Sequence, residues 1–491
     1  MTTLAGNAAQ WERDARAALA GSRHVAARDA ALHAAAIRPA DPRTAAGVAA
    51  LLAALNLGAD LRRYARGLGP MDTIPVPLLM ALAHQFTLLG DQAQAMEYLE
   101  EVHRADPDFP PGLLVRAQVS TYFGRIADAR RDLERCLRRA PEIAQAYWML
   151  AKIDAGGVPA GHVAAMKSLL ARPGATPADQ AFLGFGLHMV MDGLGEHRAA
   201  WEALELACRA KRGTLNYDPA VTRDLVDRLC ALPVARGGVA DSPGEKTPVF
   251  IVGMHRSGTT LLEQLLDASP DVRALGELYD FTSAMRLATD HHCRGVVDAT
   301  IVERSHDVDL SSVGRHYLDG LAWRLGKEPA FVDKLPSNFL NIGFICRALP
   351  QAKILHLVRD PMETCFSNLR ELFSDANAYS YDQLELADYF LQYRRLMAHW
   401  HAAFPGRILD VPYAGLTGDR ETAMGRVAAF CGVEYVPAML DPRRSGKAVA
   451  TASAVQVREQ AKRREVPKWA RYEEALQPLR QALTSVCCDA T

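Results

Sequence analysis

Several things are missing from this 491-residue chain. No run of about 18 or more apolar residues occurs, so no segment reads as a membrane-spanning helix. The opening MTTLAGNAAQWERDARAALAG has no cationic stretch followed by an apolar core, and the expectation is a soluble, cytoplasmic protein. An excess of one charge is missing too. With 56 Lys and Arg against 57 Asp and Glu the net charge is -1, which gives no field to draw the chain onto nucleic acid or an anionic membrane, and neither partner is expected. Any cationic site must therefore be local. Nine cysteines are present, but there is no CxxC pair and no histidine spacing that completes a zinc site, so the thiols read as reduced and no metal is expected. Cys487 and Cys488 stand apart as a vicinal pair near the C-terminus.

Helix formers dominate roughly the first 215 residues, where alanines are many and strand-like runs few. Within them a pattern repeats. Gly90, Ala95, Leu99 and Pro107 recur as Gly124, Ala129, Leu133 and Pro141, each 34 positions on, which is the period of the tetratricopeptide repeat. In such a unit the glycine ends the first helix, the alanine lets the second pack closely on it, the leucine fills the groove, and the proline stops the second helix. After an interruption at Gly156, Gly157 and Pro159, a further copy is read at Gly195, Ala200, Leu204 and Cys208. A worn copy is read at Gly21, Ala26 and Ala30, with Pro39 one place late. A plain helical bundle is the other reading of the same alanines. Stacked repeats form an extended concave surface suited to a peptide or protein partner. The stretch ARGGVADSPGEK, Ala235 to Lys246, breaks the helical pattern. It places a repeat domain at 1–234, a linker at 235–246 and a second domain at 247–491.

Beyond the linker, strand-like runs (VFIVG, AFVDK, AKILHLV, GRILDVPY) alternate with helical stretches, which is α/β patterning with a parallel sheet. The first run opens the segment VFIVGMHRSGTTLLEQLL, in which a buried strand, a loop from Gly253 to Gly258, and a helix with Leu261, Leu262, Leu265 and Leu266 follow one another. That order makes an anion site, because loop and first-turn N–H groups point into one concavity and the helix dipole adds positive charge. The spacing is that of GxxxxGK[ST], but Thr259 stands where the lysine is expected, and Arg256 supplies a cation from inside the loop. In a nucleoside triphosphate site the lysine bridges the terminal phosphates and the next hydroxyl holds magnesium. No clear Walker B aspartate follows a strand here, since the candidate strand Ile354 to Val358 ends in Arg359-Asp360-Pro361. The loop reads as a cradle for a phosphate-bearing donor handled without metal, with a nucleotide kinase as the alternative.

The run HRSGTTLLEQLLDASPDVRALGEL, followed by RDPMETCFS with its serine eight residues past the arginine, resembles the sulfotransferases that use 3′-phosphoadenylyl sulfate (PAPS). It is similar in particular to tyrosylprotein sulfotransferases and to bacterial sulfotransferases with N-terminal tetratricopeptide repeats. The resemblance covers roughly residues 247 to 475, and with the repeats nearly the whole chain. It implies an α plus α/β fold, an N-terminal TPR-like α-solenoid followed by a P-loop-like parallel-sheet α/β sulfotransferase domain. Carried over residue by residue, it makes Arg256, Ser257, Gly258, Thr259 and Thr260 the cradle for the 5′-phosphosulfate, and Arg359 with Ser367 the pair that holds the 3′-phosphate. Glu277, in LGEL, matches the glutamate that serves as base, and Lys334, in FVDKLPSNF, the lysine that stabilises the leaving phosphate. Ser453 and Arg458, in TASAVQVRE, are further candidates for the nucleotide, supported by their spacing to Trp469 and Tyr472. His255 is read as structural, since the histidine base of cytosolic sulfotransferases lies later in the chain. His356 is read as a satisfied core histidine, and His291-His292 as a helix end. The implied reaction moves a sulfuryl group from PAPS to a hydroxyl, with tyrosine of a peptide or protein as the favoured acceptor. A carbohydrate or small-molecule acceptor, and a repeat scaffold without activity, stay open.

Overall fold

The computed structural model describes residues 7–37, 39, 41–233, 246–442, 448–451, 454–455 and 466–485. Helices fill the chain from Ala8 to Cys230, and a five-stranded sheet begins at Thr247. The 34-residue period is visible in the backbone. The helix pair Val76–Leu88 and Gln92–Ala105 is followed by Pro110–Tyr122 and Ile126–Arg139, every bound 34 residues on. Gly90 and Gly124, both at φ +75°, turn the chain between helices in the left-handed conformation that a side chain disfavours. Ala95 and Ala129 are fully buried, with Leu99 and Leu133 in the same core positions. Pro177–Leu194 and His197–Arg212 repeat the device, with Gly195 at φ +79° and Ala200 and Leu204 buried.

The first copy exists in a register different from the one its glycine suggests. Gly21 has φ -87°, and Ser22, at φ 55°, takes the left-handed place between Ala8–Ala20 and His24–Ala36. Counted from Ser22, the buried Ala27 and Ala31 occupy the alanine and leucine places and Pro39 falls on the proline place, while Ala26 is exposed. A non-glycine residue tolerates this conformation at a cost of about 1–2 kcal/mol, so glycine marks the position without being required there.

The sheet is parallel throughout. Its strands are β1 (Thr247–Gly253), β2 (Val272–Ala274), β3 (Ala330–Asp333), β4 (Lys353–Val358) and β5 (Ile408–Pro412), in the spatial order β2-β3-β1-β4-β5. The central strands are covered on both faces and read as continuous apolar runs for that reason. Alternate residues of β1 serve different cores. Val249 and Ile251 pack with Leu261, Leu262, Leu265 and Leu266 of the following helix, while Phe250 and Val252 join the core on the opposite face.

That opposite core does not stop at the sheet. It runs without a break from Leu113 and Leu133 of the repeats through Phe185 and Leu204 to Phe331, Trp400 and Leu479. Polar contacts fasten the same seam. Asp192 accepts from Arg370 (2.9 Å) and from the Tyr472 hydroxyl (2.7 Å), and Arg212 forks onto Glu385 (2.7 and 2.8 Å). Gly58 lies so close to Trp323 that a Cβ would sit 2.6 Å from the indole, which is itself stacked by Arg62 and Arg324. Of residues 235–246 only Lys246 is described, its ammonium donating to the Glu328 carbonyl at 2.5 Å. Among the described residues no helix is long and apolar enough to cross a membrane. The seven described cysteines are free thiols, and Cys487 and Cys488 lie outside the described residues.

Asp192→Ala leaves the largely buried Arg370 guanidinium without its carboxylate and should cost about 3 kcal/mol. Calorimetric unfolding checks this. A wild-type melting temperature would show that the seam carries no such weight.

Candidate active site

The loop from Gly253 to Gly258 follows β1, Glu277 follows β2, Lys334 follows β3 and Arg359 follows β4, so these groups emerge at the carboxyl ends of the strands, where parallel sheets place their ligands. The loop after β1 is shaped by three residues of positive φ: Gly253 (150°), Arg256 (67°) and Gly258 (112°). A Cβ on Gly253 would lie 2.9 Å from the Leu357 carbonyl oxygen, and one on Gly258 would run into the Tyr413 ring, so both glycines answer to close approach as well as to conformation. The helix Thr259–Leu266 starts from Gly258 with no side-chain cap. Leu261 N turns back to the Gly258 carbonyl at 3.0 Å, and no side chain caps the N–H groups before it. The buried Ser257 hydroxyl has no hydrogen-bond partner among the described residues.

Arg256 and the β4 end meet there. The strand finishes at Val358, Arg359 follows, Asp360 caps the next helix by accepting from Glu363 N (2.8 Å), and Pro361 opens the helix Pro361–Leu369. The Arg-Asp-Pro triplet is thus a strand end, an N-cap and a first helical residue. The cap occupies Asp360, which is not placed as a Walker B ligand. Ser367 lies later on that helix and its Oγ accepts from Arg256 Nε at 3.2 Å. Arg359 Nη1 donates to the Arg256 carbonyl (3.0 Å), Nη2 pairs with Glu363 (2.8 Å), and the guanidinium lies over Tyr413 at 4.6 Å. Arg256 itself is buried, with Nη1 3.7 Å from Glu371. Burial pulls its pKa down and Glu371 opposes this. Glu371 in turn accepts from Lys152 of the repeats at 2.6 Å.

A second cluster forms at the ends of β2 and β3. Lys334, completely buried, donates to Glu277 Oε1 at 2.6 Å, while the Glu277 side chain is 37% exposed. Lys334 Nζ also lies 3.8 Å from Glu263 Oε2, and the other oxygen of Glu263 accepts from Gly276 N at 2.9 Å. Burial pushes the Glu263 carboxyl up to about 7, against the pull of Lys334. Asp333, beneath it, is held well above the ordinary carboxylate range by burial and by Asp280, and accepts from the Tyr317 hydroxyl at 3.1 Å. Sequence reasoning passed over Glu263 and Glu371. A signal for Glu263 existed: it is the one charged residue in the apolar run LLEQLL, whose every residue is buried.

The remaining assignments divide. His255 packs against Phe373, its Nδ1 lies 3.1 Å from the Tyr379 hydroxyl, and burial lowers its pKa to about 4. His356 is partnered on both nitrogens, by Asp410 (2.7 Å) and by Tyr393. His291 bonds Asp298 (2.7 Å) just past a helix that ends at Thr289. Thr259 and Thr260 are buried, and Thr260 Oγ1 donates to Thr451 Oγ1 at 3.3 Å. Tyr472 is fixed on Asp192, whereas Ser453 and Arg458 lie outside the described residues.

A parallel sheet with a lysine-less phosphate-type loop, a strand-end arginine and a buried lysine–glutamate pair defines an α/β group-transfer domain. Residues 248–438 match the sulfotransferase family, and this part of the chain is a sulfotransferase-family domain. Over 328 residues the chain is 30% identical to an uncharacterized protein of Aquifex aeolicus (strain VF5), covering 65% of this chain and 43% of that one. It is 25% identical to a protein-tyrosine sulfotransferase of Drosophila melanogaster over 206 residues, 39% of each chain. It is 29% identical to human protein-tyrosine sulfotransferase 1 over 126 residues, 23% of this chain and 31% of that one. The chain thus spans less than half the length of each of these three relatives. Among solved structures, the sulfotransferase domain of the Synechococcus PCC 7002 olefin synthase aligns with 49% of this chain and 97% of its own at 16% identity, with a TM-score of 0.31.

Because the folded Glu263 holds its proton up to about pH 7 while an unfolded glutamate releases it near pH 4.5, the native state loses stability as pH rises between those values. Glu263→Gln keeps the acceptor for Gly276 N and removes this loss. Its melting temperature should match wild type near pH 5 and exceed it by about 3 °C or more at pH 8. Parallel pH dependences in the two proteins would disprove the assignment.

Proposed function

We propose that the chain transfers a sulfuryl group from PAPS to a hydroxyl, and that the acceptor is tyrosine in a peptide or protein. The observation that carries this reading is the meeting of Arg256, Ser367 and Arg359 at the loop after β1, with the Glu277–Lys334 pair at the β2 and β3 ends and Thr259 in the lysine place. In this reading the loop backbone and the hydroxyls of Ser257, Thr259 and Thr260 hold the 5′-phosphosulfate, and Arg256 lies beside it. Arg359 and Ser367 grip the 3′-phosphate. The buried Ser257 hydroxyl, which has no partner among the described residues, and a helix start without a side-chain cap suit a group rich in acceptor oxygens. Ser453 and Arg458 are assigned to the nucleotide from their place in the sequence alone.

The chemistry needs a base and a cation. The bond from sulfur to the bridging phosphate oxygen breaks as the bond to the acceptor oxygen forms, and the acceptor proton passes to Glu277. Lys334 stabilises the charge left on the phosphate. Their 2.6 Å contact supports an exchange of partners. While the ammonium donates to Glu277 the carboxylate is occupied, and a bound phosphate that draws the ammonium away leaves it open to the acceptor. The similarity to relatives named protein-tyrosine sulfotransferases supports a phenolic acceptor. A groove of about 540 Å³ on the repeats, lined by Glu100, Arg116, Asp132 and Arg135 among others, supports a charged peptide partner. The free thiols support a reducing, cytoplasmic setting.

Incubation with radiolabelled PAPS and cell extract tests the reading. Label on tyrosine in protein is expected, and label confined to glycan or small molecules would move the acceptor to those classes. Glu277→Ala should lower transfer by about a hundredfold or more while adenosine 3′,5′-bisphosphate still binds. Unchanged transfer removes the proposed base. Arg359→Ala should weaken adenosine 3′,5′-bisphosphate by about tenfold to a hundredfold in calorimetric titration, the loss expected for a charge-assisted pair. Wild-type affinity would undo the 3′-phosphate assignment.

A further inference from the structure

His356 and Asp410 lie side by side in the sheet. Strands β4 and β5 pair in parallel with these two residues in register, so both side chains leave the same face. The helix Gln383–Ala403 supplies Tyr393 and, in its last turn, His401 to that face. One carboxylate oxygen, Asp410 Oδ1, lies 2.7 Å from His356 Nδ1 and 2.8 Å from His401 Nε2, and the two imidazole centroids are 6.0 Å apart. The three donor atoms fall within 4.8 Å of one another. Three elements thus bring a carboxylate and two imidazoles to one point. The other nitrogen of His356 faces the Tyr393 hydroxyl, which fixes the ring from outside the cluster. Among the described residues, Asp410 has the two histidines and no lysine or arginine as ion-pair partners. No spacing in the sequence announces the cluster, because Asp410 stands 54 residues from His356 and 9 from His401.

Two imidazole nitrogens and one carboxylate oxygen are a donor set for zinc and related divalent transition metals, which take three protein ligands and leave a fourth place open. Zinc bonds of about 2.0–2.2 Å in a tetrahedral arrangement put the donors about 3.3 Å apart, so each nitrogen–oxygen distance has to widen by about half an ångström. His401 and Asp410 are partly exposed and have room for that shift, while His356 is buried and stays fixed. A ligating imidazole keeps its one proton on the nitrogen turned away from the metal, and a partner there orients the ring. The Tyr393 oxygen stands in that place for His356. We propose that His356, His401 and Asp410 bind a zinc-class divalent metal, which pins the strand β5 and the helix Gln383–Ala403 to β4. The site shares no residue with the sulfuryl-transfer reading and stands or falls apart from it.

The full chain is titrated calorimetrically with zinc chloride, and with cobalt(II) chloride under visible absorption. Wild type should bind zinc at this site, show the absorption of four-coordinate cobalt(II), and melt at a higher temperature when zinc is present. His401→Ala should weaken zinc by about a hundredfold or more, lose the cobalt spectrum and melt at the same temperature with and without the metal. Asp410→Asn keeps the shape of the side chain while weakening it as a ligand, and should act in the same direction, which keeps the test decisive if the histidine variant folds poorly. His399→Ala removes a histidine of the same helix that packs on Trp400, and should bind zinc as wild type does. Equal zinc affinity in wild type, His401→Ala and Asp410→Asn overturns the inference, since zinc held by thiols or by scattered surface histidines would behave that way. A wild-type chain that takes up no zinc overturns it too, as does a loss in His399→Ala as deep as that in His401→Ala.

Discussion

The site depends on keeping Arg256 charged where water is scarce. A guanidinium in such a place needs partners, and a buried cation without them would cost several kcal/mol. Among the described residues its guanidinium meets Ser367 on the helix after β4 and Glu371 just beyond that helix, while the Arg359 side chain donates to the Arg256 carbonyl. Glu371 is itself mostly buried and is shared with Lys152 of the repeats. One carboxylate therefore joins the phosphate loop to an element more than a hundred residues earlier. The arrangement leaves cations in excess around the concavity, with Arg359 and Arg370 adding to the field that lowers the Arg256 pKa. An arriving anion would relieve that excess.

The β2 and β3 ends show the opposite balance. Glu263, Asp333 and Asp280 are all raised by burial, and Lys334 is the ammonium set among them. Lys334 is held directly by Glu277, while the Glu263 carboxyl lies 3.8 Å from its ammonium nitrogen. The sheet thus separates a cation-rich end at β1 and β4 from an acid-rich end at β2 and β3.

Much of this could be read without coordinates, and what could not was hidden for separate physical reasons. The repeat period, the strands in VFIVG, AFVDK, AKILHLV and GRILDVPY, and the loop from Gly253 to Gly258 are local patterns, written in neighbouring residues at spacings of two, four or thirty-four. Arg359 and Ser367 were legible because they sit at fixed offsets from a strand end. The register of the first repeat was misread from Gly21, because which residue takes the left-handed place is a property of the backbone that Ser22 can satisfy as well as a glycine. Glu371 and Tyr122 were invisible for a different reason. Their partners lie 219 and 327 residues away in Lys152 and Val449, and no periodicity links such positions. Glu263 was hidden by its apolar neighbours, which made a helix face look uniform where it carried one charge.

The seam has a further consequence for how this chain can change over evolutionary time. Solenoids ordinarily grow and shrink by whole units, since each touches only its neighbours. Here successive helices meet successive stations of the sheet domain: Val25 at Asp290, Gly58 at Trp323, Leu89 at Arg324, Tyr122 at Val449, Lys152 at Glu371, Asp192 at Arg370 and Arg212 at Glu385. Duplicating or deleting one unit would slide every later station past its mate by a full repeat. The array is built of repeated units, yet its length is matched to the contacts it makes with the sheet half of the chain.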